Sequence, residues 1–252
     1  MKLKILSYNI HKGLSWPQNK IILPIMRQAI REIGAELVFL QEVIGNHLHE
    51  HRQIPNWKGT NQYEFLADTI WDHYSYAKNA VYNEGHHGNV ILSKYPIIDS
   101  HQKNISTNIF EQRGILYSKI EIPFKGEVIH LMAYCLHLNL LHSGRKIQYD
   151  KIHQKIIQDS DLQGPLLVAG DFNDWNKKSH DIFEKQLKMK EVFKQLHGDY
   201  PKTFPSKFPT FCLDRIYVKN IKVISSTVLG GKPWNQLSDH LPILTEVEIN
   251  VA

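Results

Sequence analysis

Cysteine is nearly absent. The 252 residues hold two, Cys135 and Cys212, each inside an apolar stretch where a thiol packs as a small hydrophobe. A disulfide framework is not expected, and this usage favours a reducing compartment, the cytoplasm. Long apolar runs are missing too: the best, Val128 to Leu141, is broken by His130, His137 and Asn139. A membrane-crossing helix needs about 18 unbroken apolar residues, so no transmembrane segment is expected. Met1 to Asn9 alternates and reaches polar positions at once, which reads as a strand and not as the apolar core of a secretion signal. Charge of one sign is scarce as well, since 30 Lys and Arg against 25 Asp and Glu leave +5. With a pI near 9.0, that balance permits an anionic partner such as nucleic acid or an acidic lipid surface and specifies neither. No repeat, low-complexity tract, Gly/Pro/Ser-rich linker or added basic arm interrupts the chain. One domain over residues 1–252 is the expectation.

Periodicity supplies the elements. Ile22, Ile25, Met26, Ala29, Ile30 and Ile33 follow a helical series with Pro24 in the first turn, where its missing N–H costs nothing. Weaker helical patterns cover Ser143–Asp159 and Asp181–Phe193. Strand-like runs recur at Leu3–Asn9, Glu36–Gln41, Asn89–Ser93, Gly114–Ile122, Val128–Leu136, Pro165–Ala169, Phe211–Val218, Lys222–Leu229 and Pro242–Ile249. Several are wholly apolar, which calls for strands covered on both faces. The predicted architecture is a four-layer α/β sandwich: two packed mixed β-sheets with helices on the outer faces.

The polar residues that end these runs carry the chemistry. Leu37-Val38-Phe39-Leu40 leads into Gln41-Glu42, Leu166-Leu167-Val168-Ala169-Gly170 leads into Asp171-Phe172-Asn173-Asp174, and the first strand ends at Asn9. His137 and Asn139 follow another run, Asp214 lies within Phe211–Val218, and Ser238-Asp239-His240 precedes the last strand. Carboxylates gathered in one cleft repel unless a cation sits among them, and an oxygen ligand set suits Mg²⁺ or Mn²⁺. With histidines beside it to move protons, such a site implies hydrolysis of a phosphate ester.

Asn9, Leu40-Gln41-Glu42, Gly170-Asp171-Phe172-Asn173 and Ser238-Asp239-His240 together resemble the endonuclease/exonuclease/phosphatase, or deoxyribonuclease I-like, family, in order and spacing, over nearly the whole chain. The likeness is greatest to its small stand-alone bacterial members. It implies metal binding by Asn9, Glu42 and Asp239, and catalysis by His240, Asp171, Asn173 and His137. Asp214 is the implied partner of His240, fixing its tautomer. Two departures stand out. Abasic-site repair members typically carry tyrosine where this chain has His137, so the pattern resembles the two-histidine branch. That branch often has a glutamate shortly before the segment Ile91–Pro96, a role open here to Glu84, His86 or His87.

Around this set, Arg113 and Arg145 are candidate bidentate phosphate clamps and Asn139 a candidate substrate contact. Trp175 offers an apolar lip for a base or lipid. His47, His49 and His51 alternate with no cysteine or carboxylate neighbour beyond Glu50 and read as a solvated loop. Lys2, Lys4, Lys12 and Lys20, or the Lys202–Pro209 loop with Phe204 and Phe208, are the candidates for peripheral contact with an anionic surface. The first functional expectation is a Mg²⁺- or Mn²⁺-dependent phosphodiesterase acting on nucleic acid. The alternative is a hydrolase of phospholipid or inositol-phosphate head groups, and the third reading is a binding protein that has lost turnover.

Overall fold

A computed structural model of the chain describes residues 1–15, 18, 20–47, 61–82, 85–159 and 163–249. Two six-stranded sheets stack face to face. The first contains β1 (Lys2–Asn9), β2 (Leu37–His47), β3 (His73–Tyr82), β4 (Gly85–Ser93), β11 (Lys222–Val228) and β12 (Ile243–Glu248), in the order β11-β12-β1-β2-β4-β3. The second contains β5 (Ile97–Asn104), β6 (Gly114–Phe124), β7 (Glu127–His137), β8 (Leu166–Asp171), β9 (Lys190–Glu191) and β10 (Asp214–Lys219), in the order β5-β6-β7-β8-β10-β9. Each has one parallel pair, β1 with β2 and β7 with β8, among antiparallel neighbours.

Alternation in β1 shows how the layers divide. Leu3 and Ile5 enter the core between the sheets with Phe39, Ile91, Leu131, Leu167 and Ile216. Leu6 and Tyr8, one residue out of phase, pack outward against Met26 and Ile30 of α1 (Leu23–Ile33). The second sheet repeats the arrangement, with Tyr134 and Val168 facing Tyr149, Ile152 and Ile156 of α3 (His142–Asp159). Four layers result, as the sequence predicted. α1 stops at Gly34, whose φ of +67° ends a helix at little cost.

Four elements differ from expectation. Asp181–Phe193 is not one helix: a π-helical turn spans Asp181–Gln186, and α4 (Val192–His197) begins anew after β9. Lys188 at φ +57° cannot continue a right-handed helix, and the Glu191 side chain accepts from the Lys194 N–H to cap the new one. Strands β3 and β5 lacked a recognised apolar run; β5 lies at a sheet edge and is largely polar. A short helix α2 (Gln62–Ala67) was also unforeseen. No helix among the described residues is long and apolar enough to cross a membrane.

Candidate active site

Strand register assembles the site. On adjacent strands, His137 of β7 pairs with Asp171 of β8, and Asp171 pairs with Asp214 of β10, so three functional side chains occupy one rung of the second sheet. Gly170 permits this approach. Its φ is +148°, and a Cβ there would lie 2.0 Å from the Leu136 carbonyl oxygen, so any side chain would force β7 and β8 apart. The first sheet faces this rung with Asn9, at the end of β1, and Glu42, at a register shift of β2 against β4. Glu42 and Asn173 hold left-handed φ values of +58° and +48°, a conformation costing roughly 1–2 kcal/mol each. Such strain persists where surrounding structure enforces it, and functional sites concentrate it.

Asp171 is the hub. Its Oδ2 accepts from Asn9 Nδ2 at 3.0 Å and lies 3.5 Å from His137 Nε2 and 3.7 Å from His240 Nε2, while Oδ1 accepts from the Asn173 backbone N–H at 2.9 Å. Asn9 also donates to Glu42 Oε1 at 3.2 Å, so its amide spaces two carboxylates. Behind His240, Nδ1 lies 2.8 Å from Asp214 Oδ2, to which the Thr203 hydroxyl also donates. Ser238 Oγ donates to the Asn9 carbonyl and accepts from the His240 N–H, tying the last loop to β1.

Charge follows from this geometry. Burial opposes protonation of His240, but the Asp214, Asp171 and Asp239 carboxylates outweigh it and push its pKa up to about 10. Burial raises Asp171 to about 6. Burial, with Arg113, His87 and His240 nearby, holds His137 well below the usual histidine range. Glu42 is lowered although burial opposes it, because Lys12, the Asn9 amide and His87 favour the anion. The ring pair is thus split into one cationic and one neutral histidine.

Glu42, Arg113, His137, Asp171, Asn173, Trp175, Asp239 and His240 all line one cavity of about 640 Å³. Of the residues expected from sequence, Asn9 and Asp214 stand behind the cavity wall, bonded to Asp171 and His240 respectively, while Arg145 and Asn139 stand outside the site. Arg145 is fully buried and spends its guanidinium on the Asn139 and Leu140 carbonyls and the Asn176 side chain. Asn139 bonds Thr107 and Gln148. Both brace the loop behind the site and leave Arg113, whose guanidinium donates to the Leu138 carbonyl and to Glu111, as the arginine on the cavity wall. His87 is pushed down to about 4, chiefly by burial, against the opposing charge of Glu42. His86 instead bonds the Tyr76 hydroxyl at 2.8 Å. Glu84, His49 and His51, and the side chain of His47, lie outside the described residues. Sequence reasoning missed Thr203, whose role has no local signature, and Leu140, Phe211 and Leu213 of the apolar wall; Phe204, expected as a surface contact, also lines the cavity.

The donor set fits a hard divalent cation. Glu42, Asp171 and Asp239 present carboxylates to one cavity, and Glu42 has a single long hydrogen bond, from Asn9, leaving lone pairs for an ion. Asp171, Asp214 and His240 also lie within 4.8 Å of one another. There, however, Asp214 Oδ2 is already engaged by Thr203 and His240, which makes that trio a proton-handling set before it is a metal cage.

Comparison with known proteins agrees with this architecture. The uncharacterized protein YbhP of Escherichia coli (strain K12) is 43% identical over 246 residues, 98% of this chain and 96% of that protein. Among solved structures, an endonuclease/exonuclease/phosphatase from Beutenbergia cavernae DSM 12333 superposes with a TM-score of 0.76 at 16% identity, covering 100% of this chain and 72% of that one. A mannosyl-6-phosphatase from Bacteroides thetaiotaomicron VPI-5482 gives 0.68 at 17%, covering 98% and 100%. D. rerio TDP2 complexed with single strand DNA product gives 0.64 at 17%, covering 98% and 99%. At these identities the structural likeness is one of fold. The family profile itself spans residues 6–240, from β1 to His240, and the chain belongs to the endonuclease/exonuclease/phosphatase family, whose members are generally metal-dependent phosphoester hydrolases.

Proposed function

We propose that the chain is a divalent-metal-dependent phosphodiesterase in which an activated water attacks phosphorus in line with the leaving oxygen. The observation that carries this reading is Asp171, flanked by one cationic and one neutral histidine on the wall of a cavity that Glu42 and Asp239 also line. Mg²⁺ or Mn²⁺ held by Glu42 and Asp239, with the Asn9 side-chain oxygen as a further donor, would polarise the phosphoryl oxygen and offset charge on the leaving oxygen. Asp171, raised toward neutrality, takes the proton of the water as the new P–O bond forms. His240 gives its Nε2 proton to the leaving oxygen as the old P–O bond breaks, and Asp214 keeps Nδ1 protonated throughout. One Asn173 amide hydrogen is engaged by the Leu138 carbonyl, and the other serves the phosphoryl oxygen. His137, kept neutral, orients Asp171.

On substrate class, nucleic acid and phosphorylated lipid or inositol share this chemistry and differ in what the mouth must hold. A protein tracking nucleic-acid backbone neutralises several phosphates, whereas Arg113 is the one Lys or Arg among the described residues lining this cavity. The wall is instead apolar and aromatic, which favours an amphiphilic phosphodiester. The inter-sheet core, to which both sheets contribute, supports treating residues 1–252 as one domain. The test is turnover with Mg²⁺, Mn²⁺ or EDTA on supercoiled plasmid, single-stranded oligonucleotide, inositol phosphates and phospholipid vesicles, with His240→Ala as control. Metal- and His240-dependent release of a head group is expected; cleavage of nucleic acid alone would return the substrate to the nuclease class, and no turnover on any member would sink the phosphodiesterase reading.

A further inference from the structure

Apolar side chains are exposed on the cavity wall itself, at Leu140, Trp175 and Phe211, and on the chain segments that carry cavity residues. Phe110 is 94% exposed, Phe208 80%, Ile109 79% and Leu141 70%, and Trp175, on the cavity wall, is 56% exposed. They come from separate loops that the structure ties into one rim. Glu111, next to Phe110, accepts from the Leu140 N–H at 2.8 Å and from Arg113, a cavity residue, at 3.1 Å. Arg145 joins the Leu140 carbonyl to Asn176, beside Trp175. Facing them, Phe204 and Phe211 pair across the loop that carries Phe208, and the Phe204 ring centroid lies 5.1 Å from that of His240. Leu140, Trp175, Phe204 and Phe211 thus share a cavity with the reactive groups, and the more exposed side chains lie on the segments beside them. Clustered exposure on this scale marks an interaction surface.

Two features choose the occupant. Ile109, Leu140 and Leu141 are aliphatic, whereas nucleobases bind single-strand platforms by stacking on aromatic faces; a hydrocarbon layer accepts both side-chain types. Exposed lysines belong to the same chain segments, Lys178 shortly after Trp175, Lys202 just before Phe204 and Lys207 next to Phe208, and such lysines are drawn to anionic head groups. We infer that the rim seats on an anionic phospholipid bilayer, with Phe110, Leu141, Trp175 and Phe208 entering the interfacial layer and a head-group phosphodiester reaching Asp171. The orientation of the head group rests on the phosphodiesterase reading; the docking does not.

The test separates the two. Full-length protein is co-sedimented with phosphatidylglycerol-rich and with pure phosphatidylcholine vesicles, and turnover is followed separately on a small chromogenic phosphodiester with Mg²⁺. Phe110 and Phe208 are solvent-exposed and do not line the cavity. The F110S/F208S double variant is therefore expected to keep chromogenic turnover within about twofold while losing vesicle binding by at least about tenfold, because each phenylalanine forfeits apolar transfer energy. Lys207→Glu is expected to weaken binding to the anionic vesicles and not to the neutral ones. Wild-type protein left in the supernatant with both vesicle types overturns the inference, as does a double variant that sediments unchanged. Tight binding to single-stranded oligonucleotide, lost in the double variant without vesicle binding in the wild type, would assign the rim to nucleic acid instead. Absence of chromogenic turnover in a wild type that still sediments would remove the phosphodiesterase reading and leave the docking intact.

Discussion

Replacing Asp214 by Asn isolates one charge in an otherwise conserved geometry. The Asn oxygen can still accept from Thr203 Oγ1 and His240 Nδ1, the two partners of Asp214 Oδ2, so the change removes the charge and keeps the shape. At 2.8 Å and an effective dielectric of about 20, a carboxylate and an imidazolium attract by about 6 kcal/mol. Independently, holding His240 at about 10 and not 6.5 represents about 5 kcal/mol of preference for the cation. Asp214 leads the attractive contributions, with Asp171 and Asp239 supplying the remainder. Part of the lost attraction returns because a neutral amide is cheaper to bury than a carboxylate. The expected result is a fall in kcat of about 10² to 10⁴ with little change in KM. A second signature follows from the sign of the shift. His240 must be protonated to serve the leaving oxygen, so activity declines as pH rises through its pKa, and lowering that pKa moves the alkaline limb to lower pH. The assay is kcat and KM against pH for wild type and variant on the same Mg²⁺-supported substrate, with thermal unfolding as a fold control. A kcat within tenfold of wild type, or a large loss with an unmoved alkaline limb, would refute this account of Asp214.

Four further outcomes follow from the same structure. Asp171→Asn retains the size of the hub and removes the proton acceptor, and is expected to lower kcat by at least about 10²; EDTA is expected to silence the wild type and excess Mg²⁺ to restore it, checked by initial rates. Glu191 is buried, and burial raises its pKa from 4.5 to about 7 despite the nearby Arg215 guanidinium. The folded state then holds more protons than the unfolded between pH 4.5 and 7, so stability falls as pH rises through that window, by about 3 kcal/mol in all. Glu191→Gln keeps an oxygen for the Lys194 N–H and is expected to unfold at higher denaturant than wild type at pH 8 and equally at pH 4.5. Gly170→Ala places a Cβ 2.0 Å from the Leu136 carbonyl oxygen at φ +148° and is expected to cost at least about 3 kcal/mol in denaturant melts; an unchanged midpoint would mean that β7 and β8 can separate freely.

How far the sequence reveals this site depends on whether a residue's role is local. Asn9, Glu42 and Asp171 stand out because each is a polar side chain directly after an apolar run, and the sheet register that brings His137, Asp171 and Asp214 to one rung follows from strand ends meeting. The four layers are legible for the same reason, through alternation in β1 and continuous apolar residues in β8. Roles set by what packs against a residue are not. In sequence, Arg113 and Arg145 look alike; in the fold one reaches the cavity and the other is wholly enclosed, its two terminal nitrogens engaged by the Asn139 and Leu140 carbonyls and the Asn176 side chain. That difference has a consequence for selectivity. By fixing the Leu140 and Trp175 sides of the mouth from beneath, Arg145 lends its charge to backbone oxygens and not to substrate, and an arginine-lined entrance becomes an apolar one. The chemistry is therefore written at strand ends, where the chain pattern exposes it. Selectivity is written in loops whose exposed residues, such as Phe110 and Phe208, carry no periodic signal and acquire meaning only from standing around the same cavity.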